Sequence, residues 1–183
     1  MIKDVIMHKN RTRYMATTND SHFSHSTLRE RIVEHTFVAD TLRRLWQHGI
    51  VNVEVLRPEF DAHGFDLVMQ RGHIVRHIQL KTGTQKKPRA VSVPRALAEK
   101  PSGCLLWIHI TNDLDMGPFF WFGDLPGKPL PLIDGYAIPR RATHTKAGVR
   151  PSRHNHRLIP HGAFKVLQTI DDVLEALFGE LRP

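Results

Sequence analysis

The chain carries one cysteine in 183 residues, so a disulfide-stapled scaffold is excluded. That residue, Cys104, stands in the apolar run Cys104-Leu105-Leu106-Trp107-Ile108. Free cysteine in such company behaves as a small hydrophobe, which predicts a buried, inert thiol rather than a nucleophile. No apolar run approaches the roughly 18 residues needed to span a bilayer. The opening Met1-Ile2-Lys3-Asp4 does not resemble a signal peptide. Together these absences predict a soluble, cytoplasmic protein with no membrane partner. There is no glycine-rich phosphate loop and no Gly-x-Ser-x-Gly elbow, so kinase, nucleoside-triphosphatase and serine-hydrolase chemistry lack support. Histidines are plentiful, but His144, His154, His156 and His161 follow no zinc-ligand spacing, and no cysteine pair accompanies them.

Acid is also scarce relative to base. Eighteen Asp and Glu face 26 Lys and Arg, a formal charge of +8 with the 13 histidines neutral. That excess favours a polyanionic partner, nucleic acid first. A hydrophobic content of 40% and a charged content of 24% fit a globular chain. The length allows one domain with a substantial core. Residues 1–25 read as a polar N-terminal tail, and 26–183 as a single α/β domain without internal repeats.

Within that domain, Ser26 or Thr27 can cap a long helix that Gly49 ends. At 100° per residue, Leu28, Ile32, Val38, Ala39, Leu42, Leu45 and Trp46 share an arc, which predicts the buried face. Val51 to Val55 alternates like a strand stopped by Pro58. Phe65 to Gln70 and Ile74 to Thr82 predict two strands joined across Arg71-Gly72-His73. Gly83 to Pro88 reads as a basic loop, and Pro94 to Lys100 as a short helix opened by proline. Leu105 to Ile110 and Pro118 to Phe122 are further strands, the second with the aromatic run Phe119-Phe120-Trp121-Phe122. Packing into the core suits that run better than stacking on bases. From Pro126 to Pro160 the chain reads mostly as loop, with one short strand near Tyr136 to Ile138. A last helix from Ile170 to about Phe178 has Thr169 as its cap and Asp171 and Asp172 in its first turn. The order predicts an α/β fold with a mixed central sheet flanked by helices.

The hairpin carries the chemistry. A turn centred on Arg71 to His73 sets Asp66 opposite Gln79, and directly opposed residues share a face. Alternation adds Lys81 to that face and sends Ile78 and Leu80 into the core. A carboxylate, an amide oxygen and an ammonium in one place suit phosphodiester hydrolysis. Mg²⁺ prefers one or two carboxylates with water and phosphate oxygens. Bound metal polarises phosphate and lowers the pKa of a coordinated water.

Gly64-Phe65-Asp66 followed by Gln79-Leu80-Lys81 resembles the PD-(D/E)XK nuclease superfamily, in the Mrr-like variant with Gly-x-Asp and Gln-x-Lys. The resemblance covers roughly residues 26–110 and implies a restriction-endonuclease-like core. It implies a Mg²⁺-dependent endonuclease acting on DNA, with Mn²⁺ as a substitute. Asp66, Gln79, Lys81 and a glutamate on the preceding helix would be its catalytic residues. Glu34 is the candidate for that glutamate, with Glu30 one turn earlier as second choice. Glu34, Asp66 and Gln79 would hold the metal, and Asp61 is an outer candidate ligand.

The segment 140–157 is strongly basic and predicts a loop that tracks a phosphate backbone through Arg140, Arg141, Lys146, Arg150, Arg153 and Arg157. Lys86, Lys87 and Arg89 extend the same surface. A homodimer is compatible with these features. The competing readings are a non-catalytic nucleic-acid-binding module that keeps the nuclease fold, and a small interaction or antitoxin-like protein.

Overall fold

The computed structural model describes residues 25–60, 64–145 and 148–182. Helix α1 (Ser26–Gln47) comes first, with His25 as its N-cap residue and no side-chain cap bond. Strands β1 (Val53–Leu56), β2 (Leu67–Arg71) and β3 (Ile74–Gly83) follow as an antiparallel meander. Strand β4 (Val91–Pro94) leads into the short helix α2 (Arg95–Ala98), with Pro94 extended as its N-cap residue. Strand β5 (Gly103–Ile110) returns parallel to β3, and β6 (Met116–Phe122) is antiparallel to β5. After a long excursion come β7 (His156–Ile159), a 3₁₀ turn at His161–Ala163, β8 (Lys165–Leu167) and helix α3 (Ile170–Phe178).

The main sheet is mixed and six-stranded, in the order β1-β2-β3-β5-β6-β8, while β4 and β7 pair as a separate ribbon. Two cores lie on its two faces. One packs Leu67, Met69, Ile78, Leu80, Leu106 and Ile108 beneath α1 and α3. The other packs Leu105, Trp107, Phe120 and Phe122 against the ribbon and α2. The aromatic run is buried throughout, and so is Cys104, whose thiol is pushed up to about 12 by burial. Among the described residues no helix is long and apolar enough to cross a membrane.

Helix α1 presents a different face to the core from the one its apolar arc predicts. Val33, Glu34, Phe37, Val38, Thr41 and Leu45 are buried, whereas Leu28 is 61% and Trp46 72% exposed, with Ile32 and Leu42 also outward. Only Val38 and Leu45 belong to both sets. The true face is disguised by two polar side chains satisfied in place. Thr41 Oγ1 donates to the Phe37 and Val38 carbonyls, and the Glu34 carboxylate is held by arginines. The excursion before β7 contains no strand at Tyr136 to Ile138, although the Ala137 carbonyl accepts from Leu158 N.

Arg76 is fully buried on the helix face of β3. Its Nε donates to the Leu177 carbonyl, Nη2 to those of Asp124 and Ala176, and Nη1 to that of Lys128. The Trp121 ring lies 5.5 Å from its guanidinium. One cation thus satisfies the end of α3 and a loop together, and favours the negative pole of the helix dipole. Arg76→Met is expected to strand those carbonyls and lower unfolding free energy by about 3 kcal/mol in a denaturant titration. Arg76→Lys, which lacks the fork, is not expected to restore it.

At the other end of α3, Thr169 and Asp172 form a capping box. Arg44 of α1 donates to both Asp171 oxygens at 2.6 and 2.5 Å. That bond, with smaller help from His48, holds the Asp171 carboxyl below the usual range. Asp172 is lowered by the main-chain donors of Thr169 and Gln168. Because both folded values lie below the unfolded ones, this stabilisation is present above about pH 4 and is lost as pH falls through the folded values. Chemical-denaturation midpoints measured from neutral to strongly acidic pH should therefore drop below about pH 4, and drop less steeply in Asp171→Asn.

Candidate nuclease-type site

The hairpin turn occupies Gly72 and His73, with Gly72 at φ +57°, and the ladder pairs Leu67 with Ile78 and Arg71 with Ile74. Continued by one residue, that register sets Asp66 opposite Gln79, as the turn position predicts. The ladder changes character there. Asp66 N still donates to the Ile78 carbonyl at 2.8 Å, but Leu80 N donates to the Asp66 carboxylate, at 2.6 Å from Oδ2. A side-chain oxygen has taken the role of a main-chain acceptor, and it fixes the carboxylate against β3.

Two hollows meet at this end of β3. The first, about 470 Å³, lies between α1 and the β2–β3 ends, and Glu30, Glu34, Glu59 and Asp66 line it with Arg31, Arg57 and Lys81. The second, about 700 Å³, lies on the ribbon side and is lined by Gln79, Lys81, Thr82, Arg89, Ser92, Trp107, Arg153 and His156, among others, with no carboxylate. Lys81 and Thr82 line both. One hollow is rich in acid and the other purely cationic, and the Lys81 side chain stands on the ridge between them.

Lys81 therefore shares one hollow with Asp66 and the other with Gln79, and no single hollow holds the predicted trio. Asp66 belongs to the acidic hollow and Gln79 to the cationic one, because the Asp66 carboxylate turns to the β3 main chain. Ile78 and Leu80 point into the helix-side core, as alternation requires. Gln79 is 6% exposed, and its Oε1 is buried without a hydrogen-bond partner. A buried amide oxygen left unpaired is costly, and a donor or a cation would satisfy it.

Glu34 reaches the acidic hollow but is already engaged. Its Oε1 accepts from Arg57 Nε at 2.7 Å and its Oε2 from Arg31 Nη1 at 3.0 Å. No spacing rule in the sequence links Arg57 to Glu34; the turn after β1 brings them together. Glu30 lines the same hollow and lies 3.6 Å from Arg29. Asp61 is outside the described residues. Among the described residues, no three His, Cys, Asp or Glu side chains gather closely enough to hold a metal ion between them. Gly64 also has a geometric reason: its φ is +71°, and a Cβ there would stand 1.9 Å from Pro94 Cγ. Only glycine lets the approach to Asp66 pass beneath the ribbon.

The basic segment is more ordered than a loop. Arg153 N donates to the Pro139 carbonyl, Arg141 N to that of Pro151, and Thr145 N to that of Val149. Residues 139–145 and 148–153 thus pair as the two limbs of an arm with Arg140, Arg141 and Arg150 exposed along it; Lys146 is outside the described residues. Arg153, at the base of the arm, lies 2.7 Å from His156 Nε2 and enters the cationic hollow. Lys86 and Lys87 are exposed beyond β3. Arg157 departs from its predicted role. It lies in β7, 9% exposed, and donates to the carbonyls of Asp134, His154 and His156, so it holds the base of the arm.

Comparisons with protein-family models, with curated proteins and with solved structures find no match to this chain.

The two kinds of arginine should separate experimentally. Replacing Arg140, Arg141, Arg150 and Arg153 by alanine is expected to leave thermal unfolding nearly unchanged. It should also flatten the log–log salt dependence of DNA binding by about 0.9 for each phosphate no longer neutralised. Arg157→Ala is expected instead to lower the unfolding temperature, measured by calorimetry.

Proposed function

We propose that this chain is a Mg²⁺-dependent endonuclease that hydrolyses phosphodiester bonds of DNA, on a restriction-endonuclease-like core related to the Mrr-like PD-(D/E)XK nucleases. The observation that carries the reading is the junction at Lys81. There a carboxylate-lined hollow and a carboxylate-free cationic hollow adjoin, with Asp66 and Gln79 on opposed positions beside it. The element order supports it as well: a helix, three antiparallel strands and, after β4 and the short helix α2, a strand β5 parallel to the third.

The donor chemistry fits a hard cation. Asp66 supplies a carboxylate on the acidic side, while the unpaired Gln79 Oε1 belongs to the other hollow and would join the same cation only if its side chain turned. One or two such ligands with water and phosphate oxygens make an ordinary Mg²⁺ set. When bound, the metal would polarise the phosphate and acidify a coordinated water. The Leu80 N–H would hold the Asp66 carboxylate in orientation. Lys81 would stabilise charge as it develops on the phosphoryl oxygens, a role confined to the transition state. The cations of the second hollow and of the arm would hold the strand. Glu34 would join only by exchanging Arg31 or Arg57 for the metal.

That last point favours a second reading. With Glu34 paired to two arginines and an amide at position 79, the chain also fits a nucleic-acid-binding module that kept the fold without the chemistry.

Single-turnover cleavage and DNA affinity separate the two. Lys81→Ala is expected to slow cleavage about 100-fold or more while changing affinity only a few-fold. Because Lys81 is exposed, the stability cost should be about 1 kcal/mol or less. Asp66→Ala should abolish metal-dependent cleavage, and Gln79→Glu should retain it with tighter metal binding. A parent protein that cuts no DNA with Mg²⁺ or Mn²⁺, and a Gln79→Glu variant that gains no cleavage, would establish the binding module.

A further inference from the structure

We propose that the outward face of α1 is the contact surface for a second copy of this chain, the two helices packing antiparallel about a two-fold axis. The inference does not depend on the nuclease reading and holds whatever chemistry the site performs.

Leu28, Ile32, His35, Ala39, Leu42 and Trp46 are all exposed. Their spacing alternates four and three residues along nearly the whole of α1, which is the pattern of a coiled-coil seam. At 100° per residue this stripe points about 140° away from the mean direction of the residues that α1 buries. The sheet therefore lies on the far side of the helix. A solvated helix face is normally polar, and this one carries its largest apolar side chains outward.

The order of the side chains selects the partner. Across a two-fold axis at the middle of the helix, Leu28 of one copy meets Trp46 of the other, Ile32 meets Leu42, and His35 meets Ala39. Every position of the stripe finds its counterpart, as a self-complementary interface requires. Parallel pairing would instead set Trp46 on Trp46 and Ala39 on Ala39, crowding one layer and leaving a gap in another. The flanking Arg31 and Arg43 are each paired within their own helix, with Glu34 and Asp40. The uncovered parts of Leu28, Ile32, Leu42 and Trp46 amount to roughly 400 Å² per copy. With His35, Ala39 and the stems of the flanking arginines, two copies would bury about 1,200 Å², the lower end of a specific interface.

The test is sedimentation of the nucleic-acid-free full chain from about 1 to 100 μM, a range suited to an interface of that size. The mass is expected to rise with concentration from 21.0 kDa towards twice that value. Because each copy carries a formal charge of +8, the association should tighten as salt is raised. Ile32→Glu combined with Leu42→Glu changes only exposed positions and should weaken the dimer by about tenfold or more without lowering the unfolding temperature. Orientation is read by oxidative cross-linking, for which the buried Cys104 gives no background. Leu28→Cys mixed with Trp46→Cys should link to each other, and neither should link to itself. A monomer throughout the range would overturn the proposal, as would a dimer undiminished in the double glutamate variant. Self-linking of Leu28→Cys would overturn the antiparallel pairing. A monomer that the two glutamates destabilise would show that the chain's own residues cover the stripe, and would overturn the proposal as well.

Discussion

Side chains on a strand alternate with period two, so the register of β2 on β3 decides at once what faces the helices and what faces the ribbon. With Leu67 on Ile78, the even positions of β3 carry Arg76, Ile78 and Leu80 to the helix side, and the odd positions carry His77, Gln79 and Lys81 to the other. A slip of one residue would bury Lys81 under α1 and expose Arg76. The same register brings Asp66 to the point where the Leu80 N–H needs an acceptor. Both hollows, the ridge between them and the orientation of the carboxylate follow from this single pairing.

The electrostatic character of the site follows from layering. The helix layer contributes Glu30 and Glu34 at its N-terminal end, and the ribbon layer contributes Arg89 and the base of the arm with Arg153. Strand β3 ends between the two, so Lys81 stands where the fields of opposite sign meet. Such a boundary can bind a cation on one side and an anion on the other without either crossing it. The arginines on Glu34 moderate the acidic side, which would otherwise place several carboxylates close together.

Much of this was legible in the sequence wherever a local rule decides the outcome. A glycine-containing turn fixed the hairpin, and hairpin register gave the opposition of Asp66 and Gln79. Thr169 and Asp172 marked the last helix, and the apolar run around Cys104 marked a buried strand. What escaped was set by partners distant in sequence. The inward face of α1 includes Thr41, bonded to its own helix, and Glu34, bonded across a turn, so a count of apolar residues pointed to the wrong side. Arg157 looked like its neighbours on the arm until β7 paired with β4 and buried it. Strand β7 itself gives little pattern in four residues.

Arg76 has a consequence for how the chain can assemble. Its partners Ala176 and Leu177 lie 100 and 101 positions further along, and those at Asp124 and Lys128 lie 48 and 52. A chain synthesised from its N-terminus exposes β3 long before any of these carbonyls exists. Until then the central strand carries a cation whose burial nothing offsets, so the β1-β2-β3 meander cannot close its helix-side face by itself. The helix-side face of β3 is therefore closed only when α3 supplies its carbonyls to Arg76, although α3 contributes no residue to the site at the end of that strand.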